Sequence, residues 1–385
     1  MYLIIGLTII FLVLGMLDKY IHNRRLKRVP LRININGVRG KSTITRLTYS
    51  ILREAGYKVI GKTTGTDARL LYWYQNEEVP IVRKPQGANI GEQREIISKT
   101  VKSGAKAIVN ECMAVNPDYQ KVFQQDLLKA NVGAIVNVME DHMDVLGPTL
   151  DEVAESFVAT IPNNGHLVVL KGHYEELFKK EAAKRNTEVI ITDPSEVSEE
   201  YLKEFPYLIF AENVAIALGI SRVIGIDDDI AYRGMLKAPP DSGAVDIVSY
   251  VSNGTNNIFV NAFAANEPTS SKAILKKIEA SGYEYESKVL LLNCRSDRVD
   301  RTRQFVEDFL PNVQFDALIC TGKSTQMVTD FMKHRNETYI NLEGKSNEDV
   351  LNEILNISRN VLLFCVGNIH GPGKTIIQYM EDLKE

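Results

Sequence analysis

The chain has 385 residues, 44% of them hydrophobic and 24% charged, and carries a formal net charge of −4. That length exceeds what one hydrophobic core ordinarily serves, so two domains plus an appendage are expected. The mild acidity excludes the basic footprint of a nucleic-acid binder, and the composition excludes a disordered or fibrous chain. Cys112, Cys294, Cys320 and Cys365 show neither metal spacing nor a disulfide framework, which suits a reducing cytosol.

Tyr2 to Leu17 is uncharged and almost wholly apolar. About 20 such residues span a bilayer, and Tyr20 and Ile21 extend the run toward that length. His22, Arg24, Arg25, Lys27 and Arg28 follow. A basic flank stays on the cytoplasmic side, so the segment points its N-terminus out and leaves the bulk of the chain in the cytoplasm. A cleaved signal peptide would carry its charge before the apolar run and a small-residue site after it. Neither pattern occurs, and residues 1–28 read as a single-pass membrane anchor with its basic flank. A buried or interfacial helix is the alternative.

Next comes Leu31-Arg32-Ile33-Asn34-Ile35, alternating and β-branched, a strand over Leu31–Asn36. Gly37-Val38-Arg39-Gly40-Lys41-Ser42-Thr43 follows, and then Ile44, Leu47, Ile51 and Leu52 recur at helical spacing. Strand, glycine loop and helix form the context of a phosphate-binding loop. Glycines let the backbone approach phosphate oxygens, and the free N–H groups of the helix start face the anion. Lys41 adds a cation, and the hydroxyl of Ser42 or Thr43 suits a phosphate-bound Mg²⁺. Ile35 stands where a strict Walker motif has its first glycine.

Beyond the loop, strands and amphipathic helices alternate. Strands are expected at Ala107–Cys112, Ala134–Met139, Leu167–Leu170 and Glu188–Thr192. Helices are expected at Gly91–Lys102, Asp118–Lys129 and Leu150–Ile161. This predicts a mostly parallel sheet covered on both faces. Thr63–Gln86 lacks a period and reads as a long loop of the kind that is often functional. A linker-like cluster, Ala238-Pro239-Pro240-Asp241-Ser242-Gly243, interrupts the alternation. Strands then resume at Asn257–Ala262, Lys288–Asn293, Ala317–Thr321 and Val361–Val366, and helices at Ser271–Ser281, Arg301–Phe309, Ser324–His334 and Asn347–Ile357. The expected architecture is therefore α/β: a phosphate-loop domain over 29–238 and a smaller C-terminal α/β domain over 239–385, preceded by the transmembrane helix.

Three polar groups sit at strand ends. Glu111 ends one strand, at the rim where the phosphate loop also lies, and could ligate Mg²⁺ or be a solvated side chain. Asn137, Glu140, Asp141, His142 and Asp144 end the next strand and suit metal-plus-nucleotide chemistry. In the second block, Arg295, Asp297, Arg298 and Arg301 form either a charged loop with a helix start or, through the three arginines, a set of guanidiniums offered to anions. Gly367 to Gly373 reads as a glycine-rich turn.

Together these residues resemble the Mur ligase superfamily, which includes folylpolyglutamate synthase. Gly37 to Thr43 match its short G-[TS]-x-G-K-[ST]-T loop, which accounts for the absent Walker glycine. Glu111 matches its Mg²⁺-binding strand-end acid. Asn137, Asp141, His142, Asp144 and Gly147 match its N-x-x-x-D-H-x-D-x-x-G run, in which the histidine holds a second metal, and Asn213 matches its adenine-contacting asparagine. The chain departs from the family at Ala262-Phe263-Ala264-Ala265-Asn266-Glu267-Pro268, where members carry D-[YF]-A-H-N-P. It has no lysine between Ala130 and Leu170, where many carry a carbamylated one. No separate UDP-binding domain precedes the loop. The anchor and the runs N-G-x-R-G-K-S-T, K-T-T-G-T-D-A-R, E-C-M-A-V-N-P-D-Y-Q, E-D-H-M-D-V and N-C-R-x-D-R-V-D-R-T resemble, more narrowly, the ligase subunits of bacterial poly-γ-glutamate capsule synthases.

That resemblance implies an ATP- and Mg²⁺-dependent acid–amino-acid ligase that joins glutamate to a growing poly-γ-glutamate chain through an acyl phosphate. It implies small integral membrane subunits as partners and leaves a homo-oligomer open. Lys41, Glu111 and His142 are then the catalytic residues, and Ser42, Glu111 and His142 hold metal. Gly37, Val38, Arg39, Gly40, Lys41, Ser42, Thr43, Asn213, Arg295, Asp297 and Arg298 contact the nucleotide. The alternatives are a folylpolyglutamate-type ligase and a membrane ATPase that powers transport.

Overall fold

The computed structural model describes residues 2–64, 68–83, 87, 89–141, 143–205, 207–241, 245–265 and 267–383. The chain divides into two compact units, Met1–Ser242 and Gly243–Glu385, each built on its own sheet.

The first unit is organised around β1 (Leu31–Asn36), whose alternation sorts its side chains between two faces. Ile33 and Ile35 are buried in the cluster that also holds Ile44, Leu47 and Ile51. Asn34 and Asn36 point the other way and are buried too, with their amides donating to Gln124 and Gln120 at 3.2 and 2.8 Å. Burial on both faces is what a central parallel strand meets. β2 (Val59–Lys62), β3 (Arg69–Tyr72), β4 (Val79–Pro80), β5 (Ala107–Glu111), β6 (Val132–Ile135), β7 (His166–Leu170) and β8 (Glu188–Thr192) complete the sheet. The strand order is β4-β3-β2-β5-β1-β6-β7-β8. β3 is antiparallel to β2 and β4, and the other pairs are parallel. The chain builds outward in opposite directions on the two sides of β1, which opens a crevice at the carboxyl ends of β5, β1 and β6. Helices α1 (Tyr2–Leu26), α2 (Lys41–Glu54) and α3 (Glu92–Lys102) accompany the amino-terminal half of this sheet.

α1 is one continuous helix in two environments. Its 25 residues include a window of mean hydropathy 2.0, long and apolar enough to cross a membrane, none of which is buried in the protein. Its last turns, in contrast, dock onto the unit. Leu26 packs with Val29, Ile96, Ile97 and Leu127. His22 Nε2 lies 2.8 Å from the Leu127 carbonyl, and Lys129 donates to Asn23 Oδ1 at 3.0 Å. Lys19 pairs with Asp126 at 3.3 Å, and Asp18 pairs with Arg94.

Besides β2, which the sequence reading lacks, three segments of this unit differ from it. The strand expected over Ala134–Met139 runs over Val132–Ile135 instead. Val136 N still donates to Asn36 O at 2.8 Å, but β1 ends there and turns into the phosphate loop, so no strand remains to pair with. The expected loop Thr63–Gln86 contains β3 and β4, short strands whose Leu70 and Leu71 are buried. The helix expected over Asp118–Lys129 begins at Pro117 and turns π-helical over Phe123–Leu128, where Lys129 at φ 50° closes it.

The second unit holds β9 (Asp246–Ser252), β10 (Thr255–Asn261), β11 (Ser287–Cys294), β12 (Ala317–Gly322), β13 (Thr338–Glu343) and β14 (Val361–Gly367) in the order β13-β12-β11-β14-β10-β9. β9 is antiparallel to β10 and the remaining pairs are parallel. The two edge strands, β9 and β13, are absent from the sequence reading because few of their side chains are buried and their apolar pattern is correspondingly weak.

Deleting residues 2–17 should leave the first unit folded. Deleting 2–28 strips Leu26 from a packed cluster and His22 from the Leu127 carbonyl, and is expected to lower stability by about 2–5 kcal/mol. Urea midpoints of the two truncated proteins check this; equal midpoints would show the docked end of α1 to be dispensable.

Candidate nucleotide site

The loop between β1 and α2 has a backbone that only glycine serves at two points. Gly37 adopts φ 128° and Gly40 φ 84°. A Cβ on Gly37 would stand 3.0 Å from Val136 N, and one on Gly40 would stand 2.7 Å from Asn213 Oδ1. Both the conformation and the lack of space exclude a side chain. The sequence expectation named Asn213 as a nucleotide contact, and the structure sets its amide directly against this loop.

Asn137 clamps the loop. Its Oδ1 accepts from Val38 N at 3.1 Å and Arg39 N at 3.0 Å, while its Nδ2 donates to Arg39 O at 3.0 Å. Arg39 also pairs with Asp141 at 3.6 Å. No side chain caps α2, and Ile44 N makes the bond to Gly40 O at 2.9 Å. The amides of Lys41, Ser42 and Thr43 precede that bond, and such amides have no partner within a helix. They are the groups that an anion seated on the loop would take. Lys41 Nζ donates to the carbonyls of Gly37 at 2.8 Å and Val38 at 2.9 Å, which holds its charge over the same loop.

Glu111 closes the other side. It is 3% exposed, and its Oε2 accepts from Ser42 Oγ and from Thr64 N, each at 2.8 Å. Ser42 and Glu111 thus offer two hard oxygens side by side. A phosphate-bound Mg²⁺ takes one or two such ligands from a protein and the rest from phosphate and water. Among the described residues no group of three or more His, Cys, Asp or Glu side chains could hold a metal by itself. The Ser42–Glu111 oxygen pair fits a cation that arrives with a nucleotide. His142 lies outside the described residues. Cys112, next to Glu111, is buried, and burial pushes its thiol up to about 11.

In the second unit, Arg295 forms a two-pronged pair with Asp297 at 2.9 and 2.7 Å. This bond is the main reason that the Asp297 carboxyl sits below its ordinary range. Arg298 occupies the N-cap of the helix Val299–Gln304. Arg301 donates to Asn368 Oδ1, and the buried Asn368 in turn donates to the carbonyl of Asn293 at 3.1 Å. The glycine-rich turn after β14 is thereby tied to the end of β11. Sequence reasoning missed Asn368, as well as the clamp of Asn137 and the amide of Thr64. The motif run through Asn137 contained the signal for the clamp.

The fold is that of the ATP-dependent amide ligases. Escherichia coli FolC, solved with DHPP and ADP, matches with a TM-score of 0.64 over 95% of this chain and 92% of that one, at 15% identity. A bifunctional folylpolyglutamate synthase/dihydrofolate synthase from Yersinia pestis, complexed with AMPPNP and Mn, gives a TM-score of 0.67 over 94% and 92%, at 13% identity. The UDP-N-acetylmuramoylalanyl-D-glutamyl-2,6-diaminopimelate--D-alanyl-D-alanyl ligase of Acinetobacter baumannii gives 0.67 over 96% and 79%, at 14% identity. The Mur ligase middle domain family matches residues 35–209, and the poly-gamma-glutamate synthase CapB C-terminal domain family matches residues 247–383. PGA synthase CapB of Bacillus subtilis (strain 168) is 49% identical over 387 residues, covering 100% of this chain and 98% of that protein. Capsule biosynthesis protein CapB of Bacillus anthracis is 46% identical, covering 98% and 82%. The chain belongs to the CapB family. It is a ligase that uses ATP.

Replacing Asn137 by Ala removes three hydrogen bonds from the loop backbone at once. The expected outcome is a rise of roughly 10–100-fold in KM for ATP, read from ADP release at saturating acceptor. An unchanged KM would show that the loop holds its shape without the clamp.

Proposed function

We propose that this chain is a membrane-anchored, Mg²⁺-dependent ligase that lengthens poly-γ-glutamate for a capsule by activating a γ-carboxylate with ATP. The observation that carries the reading is the Ser42–Glu111 pair beside the phosphate loop, in a chain whose CapB relatives match from end to end. We assign residues 1–28 to the anchor and its basic flank, 29–238 to the ATP-using domain and 239–385 to the C-terminal ligase domain. The exposed apolar run of α1 supports a single membrane pass with the catalytic domains in the cytoplasm. Small integral membrane subunits, and a second copy of the chain, are its proposed partners.

The chemistry is a pair of displacements. A γ-carboxylate oxygen attacks the γ-phosphorus of ATP, the bond to ADP breaks, and an acyl phosphate forms. The amine of the next glutamate attacks the acyl carbon, phosphate leaves with the bonding electrons, and the amine loses a proton. The first step brings two anions together, so catalysis is chiefly alignment and neutralisation. A divalent cation supplies part of that neutralisation when it is bound. Lys41 and the amides of Lys41, Ser42 and Thr43 take the β- and γ-phosphates. Gly37, Val38, Arg39 and Gly40 shape the loop, and Asn137 fixes it. Ser42 and Glu111 would hold the first cation and His142 would be a ligand of a second, and the two would supply neutralisation of the phosphate and acceptor charges. Asn213 contacts the base. For Arg295, Asp297 and Arg298 the proposed nucleotide contact rests on the family resemblance and on their charge.

ADP release by the full chain with a panel of amino acids and glutamyl oligomers tests this function. ATP consumption that needs both glutamate and an oligomer is expected. Turnover indifferent to any amino acid would favour a transport ATPase, and turnover that needs a pterin would favour a folate ligase. Lys41→Ala should lower kcat by about 10²-fold or more, with the urea midpoint little changed.

A further inference from the structure

Lys62 ends β2 with 0% of its side chain exposed. Its Nζ lies 2.9 Å from Glu92 Oε1 and 3.4 Å from Gln93 Oε1, both on the first turn of α3. Burial pushes this ammonium below its ordinary range, and Glu92 opposes that shift. A methionine would fill the same space without the desolvation cost, so the charge here needs a reason beyond packing. Glu92 supplies one: its second oxygen lies 3.7 Å from Arg83 Nε. Lys62 cancels Glu92, and Glu92 can then steady Arg83 without cancelling it. The three side chains carry a net charge of one positive unit, and Arg83 is the most exposed of them, at 26%.

Arg83 also stands beside the nucleotide site. Its Nη2 donates to Thr64 O at 3.3 Å, and Thr64 N donates to the same Glu111 oxygen that accepts from Ser42. One residue, Thr64, therefore separates the guanidinium from the carboxylate at the phosphate loop. Among the described residues, polar atoms in this corner are buried without hydrogen-bond partners beyond the ion pairs above: Arg83 Nε, Glu92 Oε1, Gln93 Nε2 and Asn110 Oδ1, with Asn110 aligned to Lys62 across the β2–β5 pair. Two of the four are donors.

We propose that Arg83 binds the α-carboxylate of the terminal glutamyl unit while its γ-carboxylate is being activated, and that Lys62 and Glu92 are positioning residues that hold Arg83 in place and leave its charge uncancelled. This rests on the ligase function proposed above. A glutamyl unit carries two carboxylates three carbons apart, and an enzyme that builds γ-linkages must activate one and leave the other. A guanidinium one residue from the Glu111 carboxylate separates them by position: with the α-carboxylate held on its planar fork, the γ-carboxylate is the one that reaches the phosphate loop.

The test uses full-length protein in detergent with two substrates: a γ-glutamyl oligomer, and the same oligomer with its terminal α-carboxylate converted to the carboxamide. Wild-type enzyme should use the carboxamide about 10–100-fold less efficiently in kcat/KM. Arg83→Gln should lose the same factor on the natural oligomer and nothing further on the carboxamide, with KM for ATP unchanged. Lys62→Met leaves Glu92 uncancelled and should raise KM for the oligomer more than it lowers kcat. The double variant Lys62→Met/Glu92→Gln should recover most of that loss, which a purely structural lysine would not allow. If Arg83→Gln still discriminates between the two oligomers, or wild type ignores the α-carboxylate while consuming ATP with either, the proposal is overturned and the ligase function stands. ADP release that no glutamyl oligomer stimulates overturns both.

Discussion

The first unit depends on one close approach of backbone to backbone. Gly37 brings the turn after β1 so near the end of β6 that a Cβ would stand 3.0 Å from Val136 N. Because β6 stops at Ile135, the chain beyond it is free to place Asn137 under the loop instead of pairing with a strand. Asn137 then satisfies Val38 and Arg39, while the amides at the start of α2 stay directed at an incoming anion. Loop shape and anion-binding capacity thus follow from the same contact. Any side chain at position 37 would disturb both, since it would meet backbone, which cannot rotate away.

Charge is arranged in this unit by burial as much as by proximity. Arg46, one turn along α2 from Ser42, is 2% exposed and is paired with Glu78 and with Asp241, which lies just before the second unit. A buried pair of this kind adds little net stability, but removing one partner leaves a charge stranded, at a cost of about 3–5 kcal/mol. Lys62 and Glu92 repeat the device on the opposite face of the sheet. In both places a charge is neutralised locally, which leaves the rim of the crevice to Lys41, Ser42 and Glu111.

How much of this could be read from the sequence depended on whether a residue's meaning is local. The phosphate loop was legible because its strand, glycines, lysine and hydroxyl are contiguous and each has one physical job. Glu111 was legible as a strand end, and the structure places it 2.8 Å from Ser42 Oγ. The reach of Asn137 was not, since it follows from β6 ending early. Lys62, Arg83 and Glu92 meet only through the pairing of β2 with β5 and the placement of α3, which no local pattern encodes. Thr63–Gln86 read as a loop because β3 and β4 have four and two residues, too short for a period to show. The apolar start of α1 was plain, but the docking of its last turns rests on Leu26 and His22, two inward residues in a basic stretch.

The proposed function assigns Lys41, Ser42 and Glu111 to the phosphorylation of a carboxylate and not to the hydrolysis of ATP. Hydroxylamine trapping reads this directly, because it converts an acyl phosphate to a hydroxamate before an amine can compete. With ATP, Mg²⁺ and a γ-glutamyl oligomer, the wild-type chain should yield γ-hydroxamate in step with ADP, and Glu111→Gln should yield little of either. ADP formed by an active preparation without any hydroxamate would contradict the account.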